Sequence, residues 1–206
     1  MKKLLIVSTI PLLLAVSGCQ STTKYVSAND KDTVVMGLSQ RDFDAAASQA
    51  LDDIIASPLL VHPDADKGGR YILSIYNIIN DTTQRIDTDQ LVKKIRVGLL
   101  NSGKFLTTTA VSFTGAGPED SSTAKSRELQ NSSLMNQNTT KKDGQVYAPD
   151  FSLSGKIIQR NSKVSSSKQL VEYYFQLTMT QLDTGLAYWE GEYPIAKTGR
   201  NDSVSW

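Results

Sequence analysis

The chain has 206 residues, 22 Lys and Arg against 21 Asp and Glu, a formal charge of +1, and globular proportions of 39% apolar and 21% charged residues. One His and one Cys exclude a zinc site of the Cys/His type and any disulfide within the chain. The basic residues form scattered pairs, Lys93-Lys94 and Lys141-Lys142, rather than a stripe, so nucleic acid is excluded as a partner.

Met1-Lys2-Lys3 is a short positive segment, and residues 4–16 form an apolar run of the length of an export-signal core, too short to span a bilayer comfortably. Val16-Ser17-Gly18-Cys19 resembles the bacterial lipobox: small side chains suit the cleavage site, and the Cys thiol takes a diacylglyceryl group. The resemblance implies loss of residues 1–18 as a signal peptide and palmitate-type acylation of Cys19. Two or three acyl chains make a stable anchor where a single chain binds marginally. Gln20 stands where an Asp would hold such a lipoprotein in the inner membrane, which implies the outer membrane, facing the periplasm. Residues 19–38 are polar and aperiodic and read as a flexible tether, leaving 39–206 as a single domain.

Ser39 with Asp42 three residues on starts a helix whose apolar stripe is Phe43, Ala47, Ala50, Leu51, Ile54 and Ile55, stopped by Ser57-Pro58. Asp52 and Asp53 point about 100° apart on it and read as a solvated face. A turn-rich stretch containing His62, which has no Ser or Cys partner in sequence, leads into a strand over residues 70–79. Asp87 or Thr88 caps a second helix with Leu91, Val92, Ile95, Leu99 and Leu100 on one side, and Gly103 closes it. A second strand is expected over 104–111. Residues 115–148 are apolar-poor, and there we expect a weakly packed helix opened by Pro118 and a mobile loop. Residues 151–160, 170–182 and 186–195 alternate as three strands of an antiparallel meander, the last two joined at Asp183-Thr184-Gly185.

The order of elements predicts an α+β fold, a mainly antiparallel sheet of four to five strands with helices packed on it. No nucleophile elbow, His-Glu-x-x-His or glycine-rich phosphate loop is present; Gly115-Ala116-Gly117 lacks the third glycine. We therefore read the chain as a non-enzyme, with no small-molecule substrate and no cofactor beyond the lipid on Cys19.

The lipobox at Cys19, the block INDTTQRIDTDQLVKKIRVGLLNSGKF over 79–105 and the block FQLTMTQLDTGLAYWEGE over 175–192 resemble the LpoB family. These are outer-membrane lipoprotein activators of bifunctional penicillin-binding proteins. The resemblance implies a monomeric α+β domain that docks on the periplasmic regulatory domain of such a synthase and stimulates peptidoglycan synthesis allosterically. Relatives carry a long Pro-rich tether, whereas residues 21–38 are short and contain no Pro. The candidate partner surface comprises the loop residues Asn80, Asp81, Thr82 and Arg85 and the outward strand positions Tyr174, Gln176 and Thr178. The alternative is a structural or assembly envelope lipoprotein related to curli-type secretion lipoproteins, acting by self-association or by binding another envelope component.

Overall fold

The computed structural model describes residues 34–111 and 120–202. The export segment, Cys19, most of the tether, Gly115 to Gly117 and Pro118 lie outside the described residues.

Helix α1 (Gln40–Ala56) starts as its sequence requires: the Ser39 amide and hydroxyl donate to the Asp42 carboxylate at 2.6 and 2.8 Å. Its buried residues are Ala46, Ala47, Ala50 and Ile54, and the small side chains let the helix lie close to its neighbours. Strand β1 (Tyr71–Asp81), helix α2 (Thr88–Asn101) and strand β2 (Phe105–Thr107) follow. The Asp87 carboxylate caps α2 by accepting from the Asp89 amide at 3.0 Å. Gly103 takes the left-handed conformation, φ +69°, that ends the helix. β2 is three residues long, shorter than the expected strand. Thr108 still donates its amide to Leu73 O at 3.0 Å, and then the chain leaves the sheet.

Helix α3 (Ser122–Glu128) has no buried residue, in keeping with its apolar-poor sequence. The last three strands are β3 (Phe151–Lys163), β4 (Lys168–Gln181) and β5 (Ala187–Arg200).

The sheet order is β2-β1-β3-β4-β5. β3, β4 and β5 form the expected antiparallel meander over long registers. β1, however, pairs in parallel with both β2 and β3, so the sheet is mixed. For β2 the physical reason is α2: a helix between β1 and β2 carries the chain back to the end where β1 began, so β2 runs parallel to β1.

One sheet face carries the core. Ile157, Phe175 and Tyr193 form one buried cross-strand row, and Leu153 and Met179 with the partly buried Trp189 form another. α1 and α2 lie against this face. The Phe43 ring meets Phe175 edge-on at 5.6 Å between centroids, and the Tyr193 hydroxyl donates to Asp53 at 2.7 Å. Burial, then the Asp53 hydrogen bond and its charge, push the Tyr193 phenol well above its ordinary value.

The end of the segment read as tether is held on the domain. Lys197 Nζ donates to Val35 O, Gly37 O and the Asp42 carboxylate, at 3.0, 2.6 and 2.5 Å. Tyr173 donates to Met36 O at 3.3 Å, and the Leu38 amide to the Gln84 side chain at 2.7 Å. A Cβ on Gly37 would collide with the Gln84 amide, so a larger residue would have to displace that side chain, which accepts from the Leu38 amide. Residues 35–38 thus pack with the folded part.

Candidate functional site

The opposite sheet face is assembled by strand alternation. Tyr174, Gln176 and Thr178 point away from the core because Val171, Tyr173, Phe175, Leu177 and Met179 point into it. The registers place three rungs across the sheet: Ser154, Thr178 and Glu190; Ile79, Lys156, Gln176 and Glu192; Asp81, Ile158, Tyr174 and Pro194. A bulge in β1 between Ile75 and Ile78 shifts the register there and brings Asp81 onto the outward face.

The two patches expected from sequence therefore meet at Asp81. Its carboxylate pairs with Lys156 Nζ at 2.6 Å, and Lys156 lies opposite Gln176. Gln176 donates to Glu192 at 2.7 Å and Thr178 to Glu190 at 3.3 Å, which frames a half-open depression of about 430 Å³ floored by Leu177 and Gly191. The Arg160 guanidinium sits 5.3 Å from the Tyr174 ring centroid.

The remaining loop positions have a different part. Asn80 accepts from the Thr82 amide and hydroxyl at 3.2 and 2.7 Å and donates to Gln84 O at 2.8 Å. Asn80 and Thr82 are thus half-buried braces of the loop, while Arg85 is exposed beside them. The loop is fixed to β3 through Thr83, whose amide and hydroxyl donate to Gln159 at 3.1 and 3.0 Å. Sequence reading missed Lys156, Glu190 and Glu192. The same period-two alternation that selects Tyr174 would have placed them outward once the pairing of β3 and β5 with β4 was known.

His62 serves its own loop. Its Nδ1 accepts from the Asp64 amide at 3.0 Å and its ring packs 4.8 Å from Tyr71. Asp52 is exposed, and Asp53 serves Tyr193. Among the described residues there is no group of three or more His, Cys, Asp or Glu placed to hold a metal, and no helix long and apolar enough to cross a membrane.

A family model described as peptidoglycan-synthase activator LpoB matches residues 42–195. No curated protein matches the chain. Among solved structures the chain is similar to the C-terminal domain of LpoB from Salmonella enterica, with 11% identity, 75% of this chain and 98% of that one covered, and a TM-score of 0.44. The corresponding domain from Escherichia coli gives 12% identity, 76% and 99% coverage and a TM-score of 0.43. A lipoprotein from Neisseria meningitidis gives 11%, 66%, 87% and 0.36.

Proposed function

We infer a docking role from family membership: the chain belongs to the LpoB family of peptidoglycan-synthase activators, matched from residue 42 to residue 195. The finer reading is that it is an outer-membrane lipoprotein, anchored through acylated Cys19, that binds the periplasmic regulatory domain of a bifunctional penicillin-binding protein. It acts as a monomer and without chemistry of its own. The synthase exists in less and more active states, and an activator that binds the active one more tightly raises its population by that difference in affinity.

The observation that carries the reading is that the family match spans the domain from α1 to β5. Consistent with docking, the outward sheet face offers fixed side chains: Asp81 and Lys156 paired, Gln176 and Thr178 held by Glu192 and Glu190. Groups already held in place lose little entropy when a partner settles on them.

The test is to mix the purified chain with the bifunctional synthases of the same organism and measure binding and glycan polymerisation together. Saturable binding with a rise in rate is expected. Absence of both with every synthase, controls active, overturns the reading.

A further inference from the structure

The β3–β4 hairpin runs past the helices. Residues 161–168 are exposed on both faces, and the turn is closed by the Val164 and Ser165 amides donating to Lys168 O at 2.9 and 3.0 Å. From Asn161 to Val171 the chain carries two lysines and no acid. Other charges nearby are matched: Arg160 faces Glu172 across the strands, Arg200 makes two hydrogen bonds to Asp202 at 2.9 and 2.7 Å, and Lys197 holds Asp42. Lys163 lies opposite Gln169, and Lys168 opposite Arg200, so neither has an acid across from it. Val164 stands between them, 58% exposed, in a turn of three serines. The chain after β5 braces the tip, with Asn201 donating to Ser166 O at 2.7 Å and Ser167 O at 3.1 Å.

The position of the arm decides what this tip meets. Met36 packs against Gly199, next to the Lys168 and Arg200 pair, and Val34 is 68% exposed. The first described residues, Val34 to Met36, therefore lie on the side of the domain that projects the hairpin. We propose that this tip is a contact site for the anionic phospholipid headgroups of the bilayer that holds the anchor: Lys163 and Lys168 meet phosphates, serine hydroxyls donate to them, and Val164 enters the headgroup layer. The proposal rests on the reading of Cys19 as the lipid anchor. Each basic residue at such a surface strengthens association about fivefold. Two would be negligible for a free protein, but a tether holds the tip at roughly millimolar effective concentration, where contacts this weak are populated. Contact would hold the domain against its own membrane, in competition with extension towards a distant partner.

The test uses the full chain purified with its lipid, carrying Ser166→Cys labelled with an environment-sensitive dye. It is reconstituted in vesicles of phosphatidylcholine alone or of phosphatidylethanolamine with about one-third phosphatidylglycerol, the anionic arm. Flotation reads the anchor and the dye reads the tip. Expected is flotation with both vesicles and a blue shift only with the anionic one. Lys163→Glu with Lys168→Glu lowers the docked fraction at least tenfold while flotation persists, and about 0.5 M salt does the same by screening. Equal dye spectra on the two vesicles overturn the proposal, as does a shift with isolated cell-wall polymer and none with lipid. Failure to float refutes the anchor instead. The tip is then judged on the same dye with unattached anionic vesicles at millimolar lipid, where no shift overturns it.

Discussion

Lys197→Met is expected to loosen the N-terminal arm and destabilise the domain. The Lys197 side chain is 10% exposed and that of its partner Asp42 12%, and its ammonium also satisfies the carbonyls of Val35 and Gly37. Methionine keeps the apolar stem but leaves a nearly buried carboxylate and two carbonyls without their donor. Removing one member of a buried pair costs roughly 3–5 kcal/mol. Asp42 keeps the Ser39 amide and hydroxyl, which argues for the lower end, about 3 kcal/mol. For a domain of this size that is a fall in Tm of roughly 6–12 °C. The control is Lys156→Met, whose pair with Asp81 is 41% and 58% exposed and should contribute less than about 1 kcal/mol. Thermal unfolding by near-ultraviolet circular dichroism gives the stability, and hydrogen exchange at the Met36 to Ser39 amides reports the arm. Adding Asp42→Asn to Lys197→Met should recover part of the loss, since the uncompensated charge is gone. A Tm for Lys197→Met equal to that of Lys156→Met, with the arm amides equally protected, would mean that Lys197 does not hold the arm.

Gly155→Ala should lower stability by about 1–3 kcal/mol in denaturant titrations, because its Cβ would lie 2.5 Å from the Gln176 carbonyl oxygen with no room to move. The raised Tyr193 phenol binds its proton more tightly in the folded state, so its contribution is full below the ordinary value of 10 and is lost as pH rises beyond it. Alkaline unfolding should therefore be steeper in the natural chain than in Tyr193→Phe; identical pH profiles would contradict this. Cys19→Ala should abolish membrane association in cells while the Tm of the purified domain stays unchanged, and retention in the membrane fraction would contradict the anchor.

Much of the fold was legible in local chemistry. The Ser39 and Asp42 pair, the Asp87 cap and Gly103 each marked a helix end because each satisfies or turns a terminal backbone group, and those signals do not depend on distant contacts. The inward and outward faces of β4 were legible because Val171 to Thr180 alternates without interruption. The parallel pairing of β1 was not, since nothing within Tyr71 to Asp81 states which strand lies beside it. The role of Lys197 was equally hidden: its partners are Asp42 and the Val35 and Gly37 carbonyls, more than 150 positions away. The candidate surface was half legible. Tyr174, Gln176 and Thr178 follow from alternation, but only the β1 bulge brings Asp81 onto the same face, and only the register adds Lys156, Glu190 and Glu192.

We propose that a synthase docks on the outward face of β1, β3, β4 and β5. The most direct measurement is the glycan polymerisation rate of the cognate bifunctional synthase, titrated with the natural chain and with the double variant Lys156→Glu, Tyr174→Ala. Both chains are first shown to have the same Tm within about 3 °C, as expected for half-exposed positions. A saturable rise in rate with the natural chain and an affinity at least tenfold weaker with the variant are expected. Equal stimulation by the two would contradict docking on this face.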